Sequence, residues 1–209
     1  MRLLVFYDSE IEDKWRDSYL KAISSNIPDV EFFEVRTGKI INEKLNTEKD
    51  RLLLVEPLTE GVKNQLLAYI EEKPELDIEG AYTDKLTITA EAVLKVLKNI
   101  KGKEIVILNQ SKVLGKSLAI ELIKQGANVH SLNSKGDIFN VKKAYWLITA
   151  TGDKNFQFAK KDLKGFTRII DLSDDTTLKK SIRRVPTVEV LKSRLEKCQA
   201  QIKKHNTWG

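Results

Sequence analysis

The stretch Glu104–Leu132, EIVILNQSKVLGKSLAIELIKQGANVHSL, decides how this chain reads. It opens on Ile105-Val106-Ile107-Leu108, a short apolar run rich in β-branched residues, as expected of a strand buried on both faces. A polar loop follows, Asn109-Gln110-Ser111-Lys112, and from about Leu114 the period of the pattern changes. Leu118, Ala119, Leu122 and Ile123 fall on one side of a helix. Gly126 stands where a helix-ending glycine belongs, and Asn128–Leu132 reads as the next strand. Together these make a βαβ unit, and its helix N-terminus suits an anion. A phosphate-bearing ligand at Ser111 to Gly115 is one reading; a βαβ unit that binds nothing is the other.

Downstream, Tyr145–Ala150 and Thr167–Leu172 are further strand candidates, with a short helix expected over Ile138–Lys143. Successive parallel strands with crossovers give a Rossmann-like doubly wound sheet, which binds ligands at its C-terminal strand ends. Those ends are Asn109–Gly115, Asn133–Gly136 and Ala150–Asp153, all polar or glycine-containing. Upstream lies a smaller α/β arrangement. Arg2–Tyr7 reads as a strand, and Asp8–Ser24 as a helix with Ile11, Trp15, Tyr19 and Ile23 on one stripe. Val30–Val35 and Leu52–Val55 read as strands, the latter stopped by Pro57. Gly61–Glu72 is a helix with Val62, Leu66, Leu67 and Ile70 inward. Thr89 is the expected N-cap of a helix over Ala90–Asn99. Pro186 introduces a last helix whose apolar face is Val188, Leu191, Leu195, Cys198 and Ile202. Docking back on its own chain is the expected use of that face, ahead of seeding a dimer.

The totals exclude several classes. No apolar run approaches the length of a membrane span, and the N-terminal apolar run is too short for a secretory signal. One cysteine and two histidines make a zinc site improbable, and no metal is expected. The lone thiol suits a reducing cytoplasm. Net charge is +6 and unevenly spread: residues 1–100 carry 14 basic against 20 acidic side chains, and residues 101–209 carry 22 against 10. The basic excess is scattered with little aromatic interleaving, which favours a solvated face and a phosphorylated ligand over nucleic acid.

Six short motifs then fall in one order along the chain. The loop from Asn109 to Ser117 lacks G-x-G-x-x-G but resembles the G-R-S-x-x-V-G-x-P segment of the bifunctional methylenetetrahydrofolate dehydrogenase/cyclohydrolase family. Asn133-Ser134-Lys135 is similar to that family's H-S-K turn, and Leu54-Val55-Glu56-Pro57-Leu58 to its V-Q-L-P-L segment. Asp77-Ile78-Glu79-Gly80 resembles D-V-D-G, Thr87-Ile88-Thr89-Ala90 resembles P-C-T-P, and Arg184-Val185-Pro186 resembles the start of P-V-P-G-G-V-G-P-M-T. The resemblance implies a nucleotide-binding domain over 87–185 with its leading helix. It also implies a smaller N-terminal α/β domain over 1–86 that recovers 186–209 as a returning C-terminal helix. Dimerisation through the nucleotide domain, a homodimer, is the family's habit.

What the resemblance implies for chemistry is divided. The family transfers hydride from methylenetetrahydrofolate to NAD(P) and then opens the methenyl ring with water, a step served by the lysine of a Y-x-x-x-K motif. Here Trp15 aligns with the tyrosine and Tyr19 with the lysine. A phenol carries no positive charge and cannot be tuned as a buried amine can. Glu56 replaces the glutamine that partners the lysine, Glu79 replaces a folate-orienting aspartate, and the glycine-rich wall after Pro186 is missing. Two carboxylates facing an absent lysine are expected to repel each other. On the cofactor side, Ser111 and Gly115 are kept with Lys116 beside them, while Gln110 replaces an arginine. Ser134 and Lys135 stand where an acidic residue would mark NAD, so NADP is favoured over NAD. Thr151 and Gly152 are expected at the nicotinamide end. The expected protein is a shortened relative that keeps a dinucleotide site, has lost ring opening and retains at most the hydride step. The alternative is a non-catalytic nucleotide-binding or scaffold protein.

Overall fold

A computed structural model describes residues 1–10, 14–35, 48–56, 58–133 and 144–206, with side chains described from Arg16 in the first helix to Lys204 in the last. The chain divides into two compact units, one of residues 1–85 and 188–209, the other of residues 86–187.

The second unit is built on the opening stretch. Strands β4 (Glu104–Leu108), β5 (Asn128–Leu132), β6 (Trp146–Thr149) and β7 (Arg168–Asp171) form one parallel sheet in the order β5-β4-β6-β7. Its central strands are apolar without alternation because both faces are covered. On one face Ile105, Ile107, Trp146, Ile148 and Ile170 meet Ala90, Val93 and Leu97 of the α3 region and Leu118 and Leu122 of α4. On the other face Val106, Leu108, Leu147 and Ile169 meet Phe158 and Leu163 from the loop before β7. Helix α3 spans Ile88–Val96 and α4 spans Gly115–Lys124. Chain order runs outward from β4 in both directions, so the strand order reverses between β5 and β6. That is the doubly wound, Rossmann-like arrangement anticipated from the βαβ pattern. The helix expected over Ile138–Lys143 lies outside the described residues.

The first unit holds a parallel three-stranded sheet, β2-β1-β3, from β1 (Arg2–Tyr7), β2 (Val30–Glu34) and β3 (Asp50–Leu54). Helix α2 (Glu60–Glu72) buries Val62, Leu66 and Ile70 against Leu4, Phe6, Leu52 and Leu54. Leu67, expected inward, is only half-buried, since it is turned away from the i, i+4, i+8 row that faces the sheet. Helix α1 spans Lys14–Asn26 and buries Ile23. The C-terminal helix, α5 (Thr187–Asn206), returns to this unit. Val190, Leu191 and Leu195 are its buried residues, and Arg194 donates at 3.0 Å to the carbonyls of both Ile78 and Glu79. Of the expected apolar face Leu191 and Leu195 are buried, Val188, Cys198 and Ile202 are half-buried, and Val190, outside that face, is buried.

The start of α3 differs from expectation. Thr87, not Thr89, is the N-cap: its Oγ1 accepts from the Ala90 amide at 3.3 Å, and the helix begins at Ile88. The reason is tertiary. Thr87 Oγ1 also donates to the Val113 carbonyl at 2.6 Å, and the Thr87 amide donates to Ser117 Oγ at 3.0 Å, so the cap is tied to the loop and first turn of α4. Thr87→Ala is expected to destabilise the protein by about 1–2 kcal/mol, since it removes a cap and leaves a carbonyl unserved. An unchanged midpoint in urea unfolding would refute this role.

Candidate functional site

The turn after β4 is organised from inside by one side chain. Asn109 Oδ1 accepts from the Ser111 amide at 3.0 Å, from Ser111 Oγ at 2.8 Å and from the Gly115 amide at 2.9 Å. Ser111 Oγ in turn accepts from the Leu114 amide at 3.2 Å, and the Ser111 carbonyl accepts from the Lys116 amide at 3.1 Å. The first turn of α4 is thus capped by the loop itself. Gly115 is required for a specific reason: a Cβ there would lie 1.8 Å from the backbone oxygen of Asn109. Its close approach is to the chain's own backbone. Outside this turn Ser111, Lys112 and Lys116 are exposed. Gln110 reaches across to β5, donating to the Ser131 carbonyl at 3.0 Å.

Beside it lies the loop after β6. Asn109 Nδ2 donates to the Ala150 carbonyl at 2.7 Å, joining the two loops through one carboxamide. Thr151 is held by Asp175, and Gly152 adopts φ +67°, a region glycine enters without strain. Ser111, Gly115, Lys116, Thr151 and Gly152 therefore share one edge of one sheet, with Gln110 toward its β5 side. Ser134 and Lys135 lie outside the described residues.

The first unit gathers a different set. Glu56, just past β3, accepts from Tyr82 Oη at 2.5 Å and forms an ion pair with Lys63 Nζ at 2.8 Å, both at Oε1. Its Oε2 accepts from the Leu58 amide at 3.1 Å. Asp77 shapes the following turn, accepting from the amides of Gly80 and Tyr82 and from Thr83 Oγ1, with Gly80 at φ +85°. Glu79 is buried. Desolvation raises the Tyr19 phenol above its ordinary range, with the charge of Glu79 adding and that of Arg194 opposing. Tyr82 is raised in the same direction, first by desolvation and then by its hydrogen bond to Glu56. The charge of Glu56 is balanced locally. Lys63 of α2 and Tyr82 partner Glu56, and Arg194 of α5 lies near enough to Tyr19 to oppose the effect of Glu79. The side chain of Trp15 lies outside the described ones.

A family model, tetrahydrofolate dehydrogenase/cyclohydrolase, NAD(P)-binding domain, matches residues 87–194, just over half of the chain. The chain belongs to that family. Among its relatives, the bifunctional protein FolD of Clostridium botulinum (strain Okra) is 34% identical over 129 residues, covering 53% of this chain and 46% of that protein. The FolD of Thermosipho africanus is 29% identical over 166 residues, covering 69% and 60%. The chain spans about half the length of the first of these relatives. The fold agrees with the NAD-dependent 5,10-methylenetetrahydrofolate dehydrogenase of Saccharomyces cerevisiae, with a TM-score of 0.69 at 16% identity over 100% of this chain and 89% of that one. It agrees equally with the Trypanosoma brucei FolD solved with NADP cofactor and an inhibitor, at a TM-score of 0.66 and 17% identity, over 99% and 88%.

Against this FolD family background, the groups missed by sequence reading are the ones that hold others. Asn109 was legible as a loop residue, but nothing in the sequence shows that its one oxygen serves three donors. Lys63 lies in an ordinary helix and Arg194 in another; only the fold brings them to Glu56 and to the Ile78–Glu79 carbonyls. On the outer face of the 109–116 turn Ser111, Lys112 and Lys116 are exposed, while the Leu114, Gly115 and Lys116 amides are engaged within the loop.

Two outcomes follow. Gly115→Ala is expected to cost about 3 kcal/mol, because the clashing partner is backbone and cannot rotate away; a melting temperature equal to that of the unsubstituted chain would contradict it. Tyr82 contributes on the alkaline side. A raised folded-state value favours the neutral phenol, so its stabilisation is complete below about pH 10 and is lost as pH rises beyond it. Tyr82→Phe is expected to flatten the decline in unfolding free energy above about pH 10 and to leave the profile below it parallel to that of the unsubstituted chain. Urea titrations with equal alkaline slopes for the two proteins would count against it.

Proposed function

We propose that this FolD-family chain binds a nicotinamide dinucleotide at the carboxyl edge of the β5-β4-β6-β7 sheet and lacks cyclohydrolase activity. The observation that carries the second half is Tyr19. It stands at the lysine position of the Y-x-x-x-K resemblance, and its phenol is held neutral by desolvation and by Glu79. A neutral phenol has no charge to offer a ring-opening step and no readily lost proton. Lys63 does not replace the missing amine. Its ammonium is committed at 2.8 Å to Glu56.

Hydride transfer is the step this chain can retain. A bound dinucleotide supplies the hydride acceptor; the protein has to bind, orient and exclude water. The turn Asn109–Lys116 and the Thr151–Gly152 loop provide positioning by backbone and small side chains, which the substitutions in the first unit leave untouched. The favoured substrate is methylenetetrahydrofolate, in one-carbon metabolism, by family membership. NADP is favoured over NAD because Ser134 and Lys135 stand after β5 where an acidic residue would hold the ribose hydroxyls of NAD.

A second reading has its own observation. Glu56 is partnered by Lys63, Tyr82 and the Leu58 amide, which suits a protein that binds a nucleotide without turnover. Calorimetry with NADP(H) and NAD(H) tests the common part: heat with NADP(H) is expected, and none with either dinucleotide would sink both readings. Reduction of NADP by methylenetetrahydrofolate then separates them, turnover supporting the dehydrogenase and its absence at high protein concentration the binding protein. Hydrolysis of methenyltetrahydrofolate is expected at the uncatalysed rate; an accelerated rate would overturn the assignment at Tyr19.

A further inference from the structure

Asp175 lies outside every motif considered so far. It follows β7, is fully buried, and spends both carboxylate oxygens on the end of β6. Its Oδ2 accepts from Thr149 Oγ1 and, at 3.1 Å, from the Thr151 amide; its Oδ1 accepts from Thr151 Oγ1 at 2.6 Å. Its side chain is met by two hydroxyls and an amide, so a buried acidic side chain is satisfied there by neutral donors. Joining β6 to β7 does not require this, since their ladder already runs from Trp146↔Arg168 to Thr149↔Asp171.

What Asp175 adds is control of a loop. Ala150 is held by Asn109 Nδ2, Thr151 by Asp175, and the Gly152 amide donates to Ser173 Oγ at 3.3 Å. Ser173 is itself set by the buried Asp171, whose Oδ1 accepts from its amide at 3.3 Å. Three consecutive residues are pinned one by one, although Gly152 is exposed and Ala150 and Thr151 are half-buried. Exposed backbone fixed this closely is preorganised for a ligand more than required by the core. Topology says which part of the ligand. A dinucleotide crosses a doubly wound sheet where the strand order reverses, so one half lies toward β5 and the other toward β6 and β7. Gln110 and Ser131 belong to the first side, Thr151 and Asp175 to the second.

We infer that Asp175 is a positioning residue that acts through Thr151 to set the backbone under the nicotinamide half of the dinucleotide, leaving the ADP-ribose half to the β4–β5 side. The inference rests on the dinucleotide reading above and deepens it.

The test compares whole ligand with fragment. Calorimetry on the full chain measures NADP(H) and NAD(H) against 2′-phospho-ADP-ribose and ADP-ribose, with wild type, Asp175→Ala and the nearly isosteric Thr151→Val. Asp175→Ala is expected to raise the Kd of the preferred dinucleotide by about tenfold, a hydrogen bond's worth, while its matching fragment changes by less than about twofold. Thr151→Val is expected to act in the same direction, and it carries the test if Asp175→Ala shows no cooperative melting. Parallel weakening of dinucleotide and fragment would mean general loosening and would overturn the inference, as would no change in either. Wild type binding fragment and dinucleotide equally well would overturn it while leaving the nucleotide site standing. Wild type binding neither would overturn the site and the inference together.

Discussion

The approach of α4 to the end of β4 is the constraint on which the nucleotide-type unit depends. The Asn109 carbonyl oxygen fills the space that a side chain at position 115 would need. The Asn109 carboxamide then takes three donors on one oxygen and gives one donor to Ala150. The N-cap position of α4 is Leu114, whose side chain makes no hydrogen bond, so the helix start takes its partners from the loop. The orphan amides are served by the turn that follows the strand, that of Gly115 by Asn109 Oδ1 and those of Leu114 and Lys116 by Ser111. Strand, turn and helix are therefore one hydrogen-bonded object, and Thr87 ties the start of α3 to it through Val113 and Ser117.

This explains what could be seen in the sequence. The β4-α4-β5 unit is legible because its determinants are local: an unbroken apolar run, a change to helical period, and glycines at 115 and 126, the latter at φ +83°. The sheet order follows from the handedness and shortness of the connections. The helix capped by Thr87 was misplaced by two residues because its capping partners lie 26 and 30 positions away, where local pattern carries no information. The same separation hides the site's supports. Glu56 could be named from a motif, but its partners Lys63 and Tyr82 are seven and 26 residues on, and Tyr82 stands in no recognisable pattern.

The two units also differ in what kind of chemistry holds them to a function. In residues 86–187 the features relevant to a ligand are backbone amides, a glycine and small hydroxyls, positioned by Asn109 and Asp175. Such geometry survives many substitutions elsewhere, because it is set by the sheet and helix packing around it. In the first unit the relevant features are titratable side chains, and a single replacement changes the chemistry outright. At Tyr19 desolvation and the charge of Glu79 both push the phenol toward its neutral form, with Arg194 opposing.

The compensation seen around Glu56 illustrates the distinction further. A carboxylate introduced where the family has an amide needs a partner, and Lys63 and Tyr82 meet that need with good geometry. Partnering of this kind satisfies the electrostatics of the fold. Under the reading proposed above it also commits the groups that acid–base work would need, so that folding and catalysis would make opposite demands on one ion pair. The second unit faces no such conflict. The hydrogen bonds that stabilise its loops are also those that would present them, already ordered, to a dinucleotide.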